Sequence, residues 1–315
     1  MGFRIILFIF LINAFSHFSI GQGCSDAGFC TMGAMKPDQA YDKSQVVKLK
    51  TIDFSNYVAL TRFEDVIVVQ NLEINVGVRK KSSFQIKLPY TTTIGPLANV
   101  SGVGDLSLSF THLLWANQRL QFSGTIGGKI PTGDGNRKID GRSLPMYYQP
   151  SLGTYDAIIG FSLISRKWLW ATGYQHAFGT NGSNFSWGQW KDTEFFETAL
   201  IYPTSRRLKR GEDVMFRIER NFRFSKFNFA IGLLEIYRIN EDTRLNPKTS
   251  EREKANDDLG TSKGSALTLI GSGGYNFSTK SALKVVVGRR IIKRHINPDG
   301  LSREWVFTLG YQFRF

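Results

Sequence analysis

The last eleven residues of the chain alternate without a break. Trp305, Phe307, Leu309, Tyr311, Phe313 and Phe315 are aromatic or leucine, and Val306, Thr308, Gly310, Gln312 and Arg314 stand between them. Successive side chains of a strand point to opposite faces, so this pattern predicts a strand with one wholly apolar face and one small or polar face. On a soluble sheet the apolar face would look into a core; on a membrane-spanning barrel it looks at lipid, and the other face lines the lumen. The same rhythm recurs in about twelve segments, near 45–56, 64–79, 83–92, 103–115, 118–130, 154–165, 168–178, 213–224, 227–239, 265–278, 282–292 and 303–315. Each is close to the roughly 9–11 residues that a tilted transmembrane strand needs.

The connections add a second signal. Tight turns are predicted at Lys80-Lys81-Ser82, Ala116-Asn117, Ser165-Arg166-Lys167, Ser225-Lys226 and Thr279-Lys280, and longer links at 57–63, 93–102, 131–153, 179–212, 240–264 and 293–302. Short and long alternate, as in outer-membrane barrels with short periplasmic turns and long external loops. The segment Glu194–Tyr202 also reads as a strand. A lone extra crossing there would flip the C-terminus, so it is assigned to an external extension or hairpin. The expected fold is all-β: a transmembrane antiparallel up-and-down barrel of about twelve strands over 45–315.

The N-terminus points to export. Arg4 precedes the apolar run Ile5–Ile12, and small residues follow at Ser19-Ile20-Gly21. This is the layout of a signal peptide over 1–21, with an apolar run too short for the roughly 20 residues of a spanning helix. Residues 22–44 are expected to be a periplasmic segment, with entry into the lumen as a small plug left open. Its Cys24 and Cys30 are the two cysteines of the chain. An oxidising compartment favours a disulfide between them; the alternative is lipidation of Cys24, which the residues Gly21-Gln22-Gly23 fit badly.

The formal net charge is +14. Nucleic acid is the usual partner of a basic chain, but an exported chain does not meet it, so the expected partners are outer-membrane lipid and lipopolysaccharide. The dense basic run Arg206, Arg207, Lys209 and Arg210 falls in a long link, where it would face lipopolysaccharide phosphates or an acidic partner. Parity puts Arg119, Lys129, Arg217, Arg223, Arg238, Arg290 and Glu219 on the inner face. Two readings follow: a weakly anion-selective path, or a salt-bridge network that fills the interior. Twelve strands lie between the filled eight-strand barrel and the open sixteen-strand channel, so strand count does not choose. No catalytic set, metal site or cofactor site is read. Asp134, Asn136 and Asp140 fit turn chemistry, His176 shares its face with Tyr174 and Phe178, and Ser109 and His112 have opposite parity.

Two stretches go beyond a generic barrel: Gly102-Val103-Gly104-Asp105-Leu106-Ser107-Leu108-Ser109-Phe110, and Gly127-Gly128-Lys129-Ile130-Pro131-Thr132-Gly133-Asp134. This pair resembles the outer-membrane family named for the meta-pathway of phenol degradation. The resemblance covers about 100–135, implies an exported barrel that passes small, often hydrophobic compounds, and brings no catalytic residue. A final strand ending on an aromatic residue is also similar to the signal read by the barrel assembly machinery of Gram-negative bacteria, which implies that role for Phe315. The expected function is a channel or passive transporter for small hydrophobic or anionic solutes. The alternative is a non-conducting structural barrel presenting basic loops to lipopolysaccharide or partner proteins.

Overall fold

The computed structural model describes residues 29–39, 50–256 and 260–315. The expected signal peptide, 1–21, and Cys24 lie outside the described residues. Twelve strands form one closed antiparallel barrel: β1 (Thr51–Leu60), β2 (Val66–Arg79), β3 (Ser82–Ile94), β4 in two pieces (Asn99–Val103 and Leu106–Ala116), β5 (Leu120–Ile130), β6 (Tyr155–Ser165), β7 (Trp168–Phe178), β8 (Asp213–Arg223), β9 (Phe227–Arg238), β10 (Gly264–Asn276), β11 (Ser281–Ile292) and β12 (Trp305–Arg314). Neighbours in sequence pair in space. The ring closes where β1 meets β12, from Thr51↔Arg314 to Leu60↔Trp305.

Alternation explains why these residues form strands. Phe54, Phe110, Ile126, Phe216, Phe229, Phe307 and Phe313 stand exposed on the outside, whereas Ser107, Ser109, Thr125, Ser162 and Thr268 are buried inside. An exposed apolar belt around the whole molecule would drive aggregation in water, but it matches the hydrocarbon of a bilayer.

Three boundaries differ from the sequence reading, each for a local reason. The expected link 57–63 is largely strand: Tyr57 and Ala59 face in and Val58 and Leu60 face out, so the alternation continues and the link is only 61–65. The expected link 93–102 shrinks to 95–98, with the outer piece of β4 pairing back on β3 from Ile94↔Asn99 to Tyr90↔Val103. Glu194–Tyr202 lies in the long 179–212 link, but it holds a one-turn helix, Phe196–Leu200, rather than a strand. Ala199 and Tyr202 from this stretch pack inward while Leu200 and Ile201 stay exposed, a helical spacing rather than an alternating one.

The links 61–65 and 95–98 lie at one end of the barrel, and the turns that join β2 to β3, β4 to β5, β6 to β7, β8 to β9 and β10 to β11 lie at the other, together with the beginning of β1 and the end of β12. Phe315 follows there, exposed, its N–H donating to the Lys50 carbonyl at 2.9 Å. The long links 131–154, 179–212, 239–263 and 293–304 gather at the other end and fold over its mouth.

Candidate lumen site

The lumen is entered from the short-turn end by residues 30–39, which the wall grips from several sides. Gln85 Oε1 accepts from Gly33 N at 2.7 Å, and Thr125 Oγ1 accepts from Ala34 N at 2.9 Å. Arg217 Nη1 donates to the Met35 carbonyl at 2.7 Å, Lys36 pairs with Glu73, and Glu219 Oε2 accepts from Asp38 N at 2.9 Å. Arg223 Nη2 reaches the Gln39 carbonyl at 2.9 Å and Asp38 Oδ1 at 3.2 Å. Cys30, Met32 and Met35 supply the apolar side and pack with Ile158, Ile164, Leu169, Met215, Leu234 and Ile270 of the wall. Met35 sits against Gly160, where a Cβ would collide with its side chain. The segment is a plug, built of polar bonds on one side and thioether packing on the other.

The plug does not fill the barrel. Against β1, β2 and β10–β12 a cavity of about 190 Å³ remains, lined by Lys36, Asp53, Tyr57, Glu73, Arg217, Lys284 and Val286 among others. It shares Lys36, Asp38, Asp53 and Lys284 with a wider vestibule of about 600 Å³ at the short-turn end. Toward the long-loop end the space narrows to a void of about 20 Å³ beside Asp105, Lys129 and Arg303.

That closed end is a lattice of arginines and carboxylates. Arg238 donates to Asp213 (2.7 and 2.9 Å), Asp242 (2.6 and 2.7 Å) and Asp299 (2.8 Å). Arg210 reaches Asp156 at 3.0 Å and Asp299 at 3.7 Å, and Arg290 reaches Glu304 at 3.1 Å. All three arginines are buried. Burial alone would raise the Asp299 carboxyl, but Arg238, Arg294 and Arg210 hold it well below the usual carboxylate range. Burial wins at Asp242, whose carboxyl is raised in spite of Arg238. Beside the lattice, Asp65 accepts from the hydroxyls of Tyr148 and Tyr202, both at 2.7 Å, within an aromatic cluster that includes Tyr147, Phe185 and Trp190. Burial raises the Asp65 carboxyl against these bonds, and burial together with the Asp65 charge raises both tyrosine hydroxyls.

The two family-like stretches meet in one corner. Pro89 of β3 has no N–H to offer the ladder, and β4 breaks opposite it, the Gly104 N–H donating to the Pro89 carbonyl at 2.8 Å. Thr132 Oγ1 donates to the Gly104 carbonyl at 2.7 Å and accepts from Leu106 N at 3.1 Å. Asp105 accepts from Ser151 Oγ and from Leu152 N, with Lys129 at 3.8 Å. The motif residues therefore lock a strand break and pin the 131–154 link over the mouth.

The predicted residues divide accordingly. Lys129, Arg238 and Arg290 sit at the closed end, and Arg217, Glu219 and Arg223 hold the plug. Arg119 does not face the lumen: it is exposed in the turn 117–119, its N–H capped by Asn117 Oδ1 at 2.8 Å, because β5 starts only at Leu120. Arg210 leaves the external basic run for the buried lattice. Lys209 is exposed and Leu208 and Arg210 are buried, since the segment enters the mouth there.

The exposed remainder forms a small sheet. Lys209 bridges Thr243, and Thr243–Leu245 pairs with Arg252–Lys254, with Thr243↔Lys254 and Leu245↔Arg252. Residues opposite one another share a face, so Lys209, Arg252 and Lys254 stand together. Arg207 adjoins them, its carbonyl accepting from Arg252 Nη2 at 3.2 Å. Arg206 is turned instead to the carbonyls of Asn246 and Pro247, both at 3.3 Å.

A serine–histidine contact escaped the sequence reading. Ser82 Oγ lies 2.8 Å from His112 Nδ1, because β3 and β4 align Ser82↔His112. The cross-strand register, invisible in either strand alone, brings them together. Ser82 is only 4 % exposed, and no carboxylate orients the ring among the described residues, so the pair does not make an accessible nucleophile.

No family model and no curated protein matches the chain. Among solved structures, an outer-membrane channel from Pseudomonas putida F1 is similar at 14 % identity and TM-score 0.59, over 88 % of this chain and 100 % of that one. Looser likenesses are the NanC porin (8 % identity, TM-score 0.47, 84 % of this chain and 100 % of that one) and the CymD monoaromatic hydrocarbon channel (10 %, 0.44, 95 % and 99 %).

Proposed function

We propose that the chain is an outer-membrane channel for small solutes, held nearly shut by its own N-terminal plug and by the long-loop lattice. The observation that supports this reading most is the unfilled cavity beside the plug, continuous with a vestibule inside a closed barrel. A barrel serving only as a scaffold would have no need of that space. The apolar belt supports the outer membrane as location, with short turns toward the periplasm and long links outside. The solved channel it resembles supports the barrel architecture only.

Single-channel recording on the refolded barrel in a planar bilayer under a salt gradient tests the reading. Small discrete steps are expected. Silence from a barrel that is demonstrably folded and inserted, with and without the plug, would leave the scaffold reading in its place.

The exposed cations support one further role, attachment of the long-loop end to the phosphates of surrounding lipopolysaccharide. Each cation near an anionic surface contributes about 1 kcal/mol. Changing Arg207, Lys209, Arg252 and Lys254 together to serine is therefore expected to weaken lipopolysaccharide binding by on the order of 1,000-fold at low salt, and wild-type binding should fade as salt rises. Binding by the fourfold variant equal to wild type, measured by surface plasmon resonance, would remove the role.

A further inference from the structure

We propose that the cavity beside the plug is a binding site for small organic monoanions with an apolar body, of the size of benzoate. This deepens the channel reading by naming the class of solute, and it rests on that reading for entry through the vestibule.

Size, wall and charge each narrow the class. A cavity of about 190 Å³ is below the roughly 300–1,000 Å³ of sites for drug-sized ligands, so the occupant is one ring or a short chain. Ile270, Val286 and Val306 give it apolar walls. The charged residues lining it are four cations, Lys36, Lys87, Arg217 and Lys284, against three carboxylates, Asp38, Asp53 and Glu73. One positive charge is in excess, which favours a monoanion over a neutral, cationic or doubly charged solute.

Two of the cations keep capacity to spare. Arg217 is 3 % exposed and spends Nη1 on the plug; its Nε lies 3.5 Å from Glu219 without a hydrogen bond, and Nη2 has no partner among the described residues. A buried guanidinium short of acceptors is costly, and an incoming carboxylate relieves that cost with charge-assisted bonds. Lys284 interacts with Asp53, Glu73 and Asp38 only at longer range, and no carboxylate lies within 4 Å of it among the described residues. A ligand carboxylate held by Lys284, with the Arg217 charge elsewhere on the same cavity lining, would leave its ring against the aliphatic wall.

Isothermal titration of benzoate into the purified full-length barrel in detergent tests this, with benzamide, benzylamine and terephthalate as neutral, cationic and dianionic controls. Benzoate is expected to bind one to one, at least about tenfold tighter than each control, since charge-assisted bonds are roughly twice as strong as neutral ones. Lys284→Gln is expected to abolish most of that preference while keeping the plug's hydrogen bonds and ion pairs, none of which involves Lys284 among the described residues; Arg217→Gln should do the same but also removes a hydrogen bond to the plug. Benzoate binding no tighter than benzamide, or a preference unchanged in Lys284→Gln, overturns the site. A barrel that conducts but shows no benzoate preference keeps the channel and loses the site. A silent barrel that binds benzoate loses the channel and keeps the site.

Discussion

Replacing Arg238 by alanine is expected to destabilise the barrel by about 3–5 kcal/mol, the usual cost of removing one partner from a buried ionic set, and to loosen the long links over the mouth. Arg238 is fully buried and serves Asp213, Asp242 and Asp299 at once. Arg210 and Arg294 remain nearby, but neither can supply five hydrogen bonds to three carboxylates. The loss would be measured by urea unfolding in detergent, and the loosening by proteolysis within 239–263 and 293–304. Wild-type stability with unchanged protease resistance would show that the lattice does not hold the mouth. Arg238→Lys should recover little, because an ammonium cannot fork between carboxylates.

The lattice also sets a response to acid. A carboxyl depressed by neighbouring arginines, as at Asp299, contributes stability that is present above its unfolded value, near 3.9, and lost only as pH falls through the still lower folded value. Asp242 and Asp65, raised by burial, act in the opposite sense: their ionisation opposes folding, so this penalty eases as pH falls through their raised values. Mild acid is therefore expected to leave the mouth closed, with opening confined to pH below the ordinary aspartate range.

Deleting residues 29–39 is expected to produce the largest change in conductance, a several-fold rise with steadier open steps. The plug packs against the β3–β8 wall beside the cavity, and its removal adds its own volume to that cavity. It also strands its partners: Glu73, Arg217 and Glu219 would lose the groups they now hold. Interior residues left unpaired but wetted by an opened lumen lose little, because water replaces the bonds. Conductance should therefore rise more than stability falls. Unchanged conductance in the deletion variant would show that the closed mouth, and not the plug, is the limiting barrier.

The barrel was legible because its signal is repeated. Twelve alternating segments and an alternation of short and long links allow few other folds, and local errors such as 57–63 did not disturb the count. The site was less legible, since strand parity gives a face but no height. Arg217 and Arg238 share the inner parity, yet one grips the plug and the other closes the mouth. Arg119 failed because the strand starts at Leu120, two residues later than the expected 118, and Arg210 by a descent of the loop into the barrel that no alternation announces. The Ser82–His112 contact and the corner of Gly104, Asp105 and Thr132 depend on cross-strand register, which a single chain does not display.

The plug lies immediately before β1, and β1 begins at the end of the barrel that the plug enters. Ten residues, 40–49, separate it from Lys50 in the sequence, so on the proposed channel reading it would act as an inhibitor carried on the chain it inhibits. A group joined covalently over so few residues is held at an effective concentration of about millimolar. A free peptide of sequence 29–39 added to the deletion variant should thus need about millimolar levels to restore closure, and small solutes compete with the plug on those same terms.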